Sequence, residues 1–146
     1  MKINPPLIAL LIALAMLVLS TTLPQPRLVA PPLNAFGVVL VALGVAMNLW
    51  SARWFRFQKT TIDPRGAATY LAQEGLYRYT RNPMYFGMLI ALLGLSVYLG
   101  VLIAFFGPLL FVWVVGLRFI RREEQALSAC FGEEYVRYKA RVRRWI

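Results

Sequence analysis

Residues 82–117 read NPMYFGMLIALLGLSVYLGVLIAFFGPLLFVWVVGL, and this run contains no charged side chain. A helix needs roughly 20 apolar residues to cross the hydrocarbon core of a bilayer, so the run is too long for one span and long enough for two short ones. The group VYLG at 97–100 lies near its middle and is the expected turn. The stretch therefore predicts a hairpin of two membrane helices, over about 83–98 and 101–119.

Two further uncharged runs lie upstream, over residues 5–23 and 28–52, and hydrophobic residues make up 60% of the whole sequence. Mean hydropathy is +0.62, which is too high for an ordinary soluble domain. Helices are favoured in lipid because they satisfy their own backbone hydrogen bonds. We therefore predict an all-α fold, an integral membrane helical bundle with about four transmembrane helices. The chain forms a single domain over 1–146, with its first two helices over about 5–23 and 33–54.

The second predicted helix carries Gly37 and Gly44, seven residues apart on one face. Small residues at that spacing let two membrane helices approach closely, so we expect a packing role for them. The first helix follows Lys2, as in a signal peptide, but its apolar run is longer than a typical signal sequence and 21–24 (TTLP) is a poor cleavage site. A retained helix is the favoured interpretation.

Basic residues are concentrated in and beside the connection 55–82 and in the tail from 118 onward, whereas the connection between the first two helices contains only Arg27. By the positive-inside rule we expect an inner-membrane protein with loop 55–82 and both termini on the cytoplasmic side. Attraction to anionic membrane lipids then explains the net charge of +10. No nucleic-acid partner is expected.

The cytoplasmic segments are predicted to be ordered. Loop 55–82 contains a turn signal at 63–66 (DPRG) together with several tyrosines, which indicates a cap at the membrane surface. The tail 120–142 has apolar residues at helical spacing, which predicts an amphipathic interfacial helix bent at Gly132. These apolar residues are Ile120, Leu127, Phe131, Tyr135, Tyr138 and Val142.

The sequence contains no histidine, and Cys130 is its only cysteine. Serine–histidine and cysteine–histidine nucleophile pairs and histidine or multi-cysteine metal sites are therefore excluded, and no metal is expected. Any chemistry has to use carboxylates, arginines, tyrosines and backbone groups.

One candidate cluster, GLYRYTRNPMYFG at residues 75–87, places Arg81 at the start of the third predicted helix. Asn82 and Pro83 are favoured at the cap and first position of a helix. A helix N-terminus suits an anion, and Arg81 can add a bidentate contact. The same residues also fit a capped helix with interfacial tyrosines and no ligand.

A second cluster begins at Glu123 and Glu124, and the stretch from 123 to 134 holds four of the six acidic residues. These carboxylates can bind a cation or sugar hydroxyls, or they can simply offset the three neighbouring arginines at 118, 121 and 122. A hairpin of the third and fourth helices would make Asn82 and Glu123 neighbours on one side of the membrane. The joined site suits a zwitterionic cofactor with a ribose and an amino-acid end.

Two motifs in this order resemble the isoprenylcysteine carboxyl methyltransferase family, and the wider superfamily that includes phospholipid N-methyltransferases. They are Gly-x-Tyr-Arg-x-x-Arg-Asn-Pro-Met-Tyr-x-Gly from Gly75 and Arg-Arg-Glu-Glu-x-x-Leu-x-x-x-Phe-Gly-x-Glu-Tyr-x-x-Tyr from Arg121. The resemblance covers about residues 60–146. It departs at Asn82, where many relatives have histidine.

The resemblance implies a membrane methyltransferase that uses S-adenosylmethionine and acts at the cytoplasmic face on a lipid-like or hydrophobic small molecule. The methyl acceptor is a carboxylate, a thiol or an amine. Arg81 is expected to orient the acceptor or the cofactor carboxylate, and Glu124 to take a proton from an amine. The residues expected to bind the cofactor are Tyr77, Arg81, Asn82, Pro83, Tyr85, Gly87, Glu123 and Glu124.

Two other classes of function stay open at this point. One is a membrane reductase of the sterol-reductase type, for which the basic residues from Arg53 to Arg65 would bind a nicotinamide cofactor. The other is a non-enzymatic membrane scaffold in which both clusters are caps and interfacial anchors. The oligomeric state is unknown from the sequence.

Overall fold

The structure, a computed structural model, describes residues 4–57 and 71–146 of the chain. This part contains five α-helices and no β-strand, which confirms the predicted all-α class. Short 3-10 helices precede the second and fourth helices, and a π-helical turn joins the fourth helix to the fifth. The helices are α1 (Pro5–Thr22), α2 (Phe36–Phe57), α3 (Pro83–Leu99), α4 (Phe106–Val115) and α5 (Arg121–Arg141).

The observed helices begin and end within about three residues of the predicted bounds once the 3-10 and π turns at 33–35, 102–105 and 116–120 are included. Gly100 has a φ of 68° and ends α3, so the predicted hairpin turn at 97–100 is confirmed. Residues 58–70 of the predicted cytoplasmic loop, including the turn signal at 63–66, lie outside the described residues.

The fourth span and the tail helix are continuous. Residues 102–131 are helical without interruption through the π turn at 116–120, and the helix continues to residue 141 after a kink at Gly132. The backbone at both ends of that turn keeps helical φ and ψ, so no break separates the span from the tail. The bend comes later, as predicted, at Gly132, where φ is 47° and ψ is −123°.

Three of the helical segments are long and apolar enough to cross a membrane, namely Pro5–Thr22, Leu33–Trp54 and Leu102–Arg141. The remaining apolar helix, α3, has 17 residues and is therefore about 25 Å long, slightly less than the thickness of a typical hydrocarbon core. Many large apolar side chains of α1 and α2 point outward, as expected of surfaces that face lipid. The chain is an integral membrane helical bundle.

The α2 and α3 helices touch through two pairs of glycines. A Cβ atom added to Gly94 would lie 2.6 Å from the Gly37 carbonyl oxygen, and one added to Gly44 would collide with the Gly87 carbonyl oxygen. Real Cβ atoms do not approach backbone that closely, so only glycine permits these contacts. The packing role predicted for Gly37 and Gly44 is confirmed.

The connection between α1 and α2 lies beside the turn between α3 and α4. The Leu28 and Val29 amides donate to the Gly100 carbonyl oxygen at 2.7 and 3.1 Å, and the Asn34 side chain donates to the Tyr98 carbonyl oxygen at 3.2 Å. Both connections therefore lie at one end of the bundle, together with Arg27. The start of α3 and the start of α5 lie at the opposite end.

Candidate functional site

The first turn of α3 meets the first turn of α5 at the basic end of the bundle. The Tyr85 hydroxyl donates to Glu123 Oε1 at 2.5 Å, and Arg81 Nη1 lies 3.1 Å from Glu124 Oε1. The antiparallel hairpin of α3 and α4 brings these residues together, although about 40 positions separate them in the sequence. The two clusters singled out in the sequence therefore form one site.

Glu124 accepts two hydrogen bonds from Arg144 and forms an ion pair with Arg81. Arg144 approaches as a fork, with Nε 3.0 Å from Oε1 and Nη2 2.6 Å from Oε2, while Arg81 shares Oε1. The side chains of Glu124 and Arg81 are 12% and 9% exposed, so this is a largely buried pair, whereas Arg144 is 39% exposed. Among the described residues, Glu124 thus pairs with these two arginines rather than with the basic residues at 118, 121 and 122.

Arg144 belongs to a return segment, residues 142–146, that leaves α5 and runs back to the start of α3. The Arg81 amide donates to the Arg143 carbonyl oxygen at 3.0 Å. The Thr80 hydroxyl and Asn82 Nδ2 both donate to the Arg144 carbonyl oxygen, at 3.2 and 3.0 Å. These bonds hold the return segment against residues 80–82 and place the Arg144 side chain over Glu124.

Asn82 occupies the cap position of α3 and Pro83 its first position, which confirms the predicted helix start, but the Asn82 side chain makes no capping hydrogen bond. Its amide group donates to the Arg144 carbonyl oxygen instead. Its backbone amide is satisfied locally by the Thr80 hydroxyl at 3.1 Å. Asn82 therefore contributes to the site by fixing the return segment, and the first turn of α3 has no cap from this side chain.

Arg81 has an unused donor. Its Nη1 atom lies 3.4 Å from the Tyr135 hydroxyl as well as near Glu124, but its buried Nε atom has no hydrogen-bond partner among the described residues. A buried donor left without a partner costs about 1–3 kcal/mol. Such a group is suited to donate a hydrogen bond to a ligand atom that carries negative charge, for example a carboxylate oxygen.

Two groups of the cluster, Glu123 and Arg144, have shifted pKa values. Burial raises the pKa of Glu123 above its ordinary value, and this effect is opposed by the hydrogen bond from Tyr85 and reinforced by the neighbouring Glu124. The hydrogen bond to Glu124 raises the pKa of Arg144. Two guanidinium groups therefore face Glu124 while Glu123 is biased toward its neutral form. Perturbed carboxyl groups of this kind are typical of functional sites.

Comparison with known proteins decides the family. Residues 33–134 match the phospholipid methyltransferase (PEMT) family, which is well over half of the chain. The chain belongs to this family. The match begins at the 3-10 turn before α2, so it includes a helix that the sequence resemblance over 60–146 left out.

The phospholipid methyltransferase family lies in the superfamily to which the two motifs point, so the resemblance is confirmed at that level. Membership of the isoprenylcysteine branch stays a prediction. The match supports a membrane methyltransferase over the reductase and scaffold alternatives. An uncharacterised protein of Haemophilus influenzae is 43% identical over 63 residues, which is 43% of this chain and 100% of that protein. No solved structure gives a significant match to the chain.

The remaining predicted cofactor residues of this phospholipid methyltransferase family member are Tyr77, Pro83 and Gly87. Tyr77 is buried, and its carbonyl oxygen accepts a hydrogen bond from the Tyr138 hydroxyl at 2.8 Å. Pro83 is buried at the first position of α3. Gly87 lies against α2, where an added Cβ atom would be 2.6 Å from Asn48 Nδ2. Helix packing alone accounts for a glycine there, and its contact with a cofactor stays a prediction.

Three residues of the site were not identified from the sequence. Tyr135 stands in the second motif but was assigned to the apolar stripe of the tail, and Thr80 lies in the first motif as an unspecified position. Arg144 gave no signal, because it is one of several arginines in a basic tail and lies outside both the motifs and the 33–134 family match.

Two open surface grooves of about 630 and 670 Å³ lie beside the cluster rather than within it. The larger is lined by residues from the end of α2, the 73–78 turn and the end of α5, among them Trp54, Arg78 and Arg141. Neither groove is lined by the residues predicted to bind the cofactor.

Proposed function

We propose that this protein transfers a methyl group from S-adenosylmethionine to a lipid-like or hydrophobic small molecule whose acceptor is a carboxylate, a thiol or an amine. The observation that carries the proposal is the joined cluster of Arg81, Glu124, Glu123 and Tyr85. It lies inside the segment that matches the phospholipid methyltransferase family. Family membership alone gives the reaction class, and the cluster supports the cofactor.

The residues present fit the functional groups of S-adenosylmethionine. The amino-acid end of that cofactor has a carboxylate, for which the unpartnered Nε–H of Arg81 is a suitable donor. It also has an ammonium group and ribose hydroxyls, which need acceptors such as the oxygens of Glu123 and Glu124. The remaining predicted lining residues are Tyr77, Asn82, Pro83, Tyr85 and Gly87.

When bound, S-adenosylmethionine supplies an electrophilic methyl group on a sulfonium. Displacement at such a group is accelerated mainly by holding the reactants in line, and this is the role proposed for Arg81. Glu124 would take the proton from an amine acceptor. With a carboxylate or thiolate acceptor no base is needed, and the buried surroundings of Arg81 and Glu124 favour a reaction in which opposite charges cancel.

We also propose that the site faces the cytoplasm, with the protein in the inner membrane and both termini cytoplasmic. The support is the distribution of charge: Arg27 lies at the end with the α1–α2 connection, while Arg78, Arg81 and the arginines that begin α5 lie at the other end. Anionic membrane lipids are the expected partners of these basic residues.

Calorimetric titration of the detergent-purified protein with S-adenosylhomocysteine tests the proposal. We expect binding at about micromolar concentration, which corresponds to about −8 kcal/mol. A matching assay follows the transfer of tritiated methyl groups from S-adenosylmethionine to a total lipid extract. Well-folded protein that binds NADPH but not S-adenosylhomocysteine would favour the reductase, and protein that binds neither would favour the scaffold.

A Tyr85→Phe variant tests the role of Glu123. The hydroxyl of Tyr85 stabilises the ionised form of Glu123, so its removal raises the pKa of that carboxyl further. If the Glu123 carboxylate binds the cofactor, affinity for S-adenosylhomocysteine is lost at a higher pH in the variant than in the wild type. The measurement is the dissociation constant as a function of pH. If affinity falls at the same pH in both proteins, the Glu123 carboxylate does not bind the cofactor.

A further inference from the structure

Arg144 and Arg81 contact the Glu124 carboxylate in different ways. Arg144 uses two nitrogens in a fork and contacts both carboxylate oxygens, at 3.0 and 2.6 Å. Forks of this kind are the strongest and most directional arginine–carboxylate pairs. Arg81 contacts only Oε1, through one nitrogen at 3.1 Å. The carboxylate is therefore oriented by the exposed arginine and shared with the buried one.

This division leaves Arg81 with a free donor. In a side-on fork like that of Arg144, Arg81 would use its Nε and Nη2 atoms on the carboxylate. Because Arg144 already holds both oxygens, Arg81 keeps its buried Nε–H without a partner among the described residues. The arrangement suits an additional anionic group at Arg81, such as a carboxylate.

The position of Arg144 is fixed by the backbone and not only by its own side chain. The Arg143 and Arg144 carbonyl oxygens accept hydrogen bonds from residues 80–82, the same short stretch that carries Arg81. Trp145 packs against the hydrophobic core of the bundle. The return segment is therefore built into the site, although it lies beyond the segment that matches the family.

We propose that Arg144 is a positioning residue: by holding both oxygens of Glu124, it keeps the Nε–H of Arg81 available for an anionic group of the ligand. The inference rests on the proposed function, under which this group is the amino-acid carboxylate of the cofactor. Without Arg144, both oxygens of Glu124 are open to a side-on fork from Nε and Nη2 of Arg81, the same pair of atoms that Arg144 uses, and the donor for the ligand is lost.

A thermodynamic cycle tests this coupling. Calorimetry compares S-adenosylhomocysteine with its decarboxylated analogue, which differs only by the carboxylate, on the wild type and on Arg144→Ala. We expect Arg144→Ala to weaken binding of S-adenosylhomocysteine about tenfold and binding of the analogue less than about twofold, because interacting groups are not additive. Lys139→Ala is the matched control, since it removes the same charge from an exposed position of α5 that does not belong to the cluster. It should leave both affinities unchanged.

Arg144→Lys separates the fork from the charge. It keeps the positive charge but cannot contact both oxygens through a rigid fork, so most of the loss in affinity for S-adenosylhomocysteine should persist. Thermal unfolding of each variant shows that it is folded. Equal weakening of both ligands by Arg144→Ala, or no weakening of S-adenosylhomocysteine, overturns the role of Arg144 while the methyltransferase stands. A wild type that binds neither ligand overturns the proposed function and this inference with it.

Discussion

An Arg81→Ala variant is expected to bind S-adenosylhomocysteine about a hundredfold more weakly than the wild type, a loss of about 2.7 kcal/mol. The change removes the buried Nε–H and the guanidinium charge from the site. Glu124 keeps both hydrogen bonds to Arg144, so the variant does not leave a carboxylate buried without a partner. Calorimetry in detergent measures the affinity, and methyl transfer to lipid should fall at least in proportion.

Arg78→Ala is the control for this experiment. Arg78 lies three residues earlier in the same motif and is exposed, so its removal changes the net charge by the same amount without touching the cluster. It should bind the ligand as the wild type does. A similar loss in both variants would mean that general attraction of a basic surface, and not Arg81 itself, accounts for binding. Arg81→Lys, which retains the charge but lacks the Nε–H, separates the two contributions, and thermal unfolding shows that each variant is folded.

A Gly44→Ala variant is expected to lower the free energy of unfolding by about 1–3 kcal/mol. The new methyl group would collide with the Gly87 carbonyl oxygen and would lie 2.6 Å from the backbone nitrogen of Ala91, so the two helices must move apart. Backbone cannot rotate out of the way as a flexible side chain can. Unfolding of the purified protein in detergent, followed by tryptophan fluorescence, measures the change.

Gly116→Ala is the matched control for Gly44→Ala. Gly116 also lies in an apolar helical segment, but an added Cβ atom meets no other atom within 4 Å. Its stability should be unchanged or slightly higher, because alanine favours a helix more than glycine does. If the free energy of unfolding is the same for both variants, close contact between α2 and α3 does not contribute to stability.

The helices could be predicted because their signal is local. Long uncharged runs, with the VYLG turn at 97–100 and the proline-rich connection after α1, give the number of helices and nearly their bounds. The continuity of α4 and α5 could not be predicted. The apolar run ends where charged residues begin, at Arg118. A change from apolar to charged residues does not by itself end a helix, and here the backbone stays helical.

The site was predictable only in part, for a related reason. Arg81, Glu123 and Glu124 belong to motifs, and the hairpin between them dictates that they meet. Arg144 is brought to Glu124 by the path of the return segment, which depends on hydrogen bonds between backbone carbonyl groups and residues 80–82. Backbone acceptors are the same in every residue, so the sequence holds no trace of this contact.

The glycine pairs between α2 and α3 also limit how a lipid can reach the cluster. At Gly37–Gly94 and Gly44–Gly87 the two backbones are so close that not even a methyl group fits between them. An acyl chain therefore has no passage through this seam. The two helices form one wall of the bundle, and a lipid-like acceptor of the kind proposed above would have to reach Arg81 around this wall rather than through it.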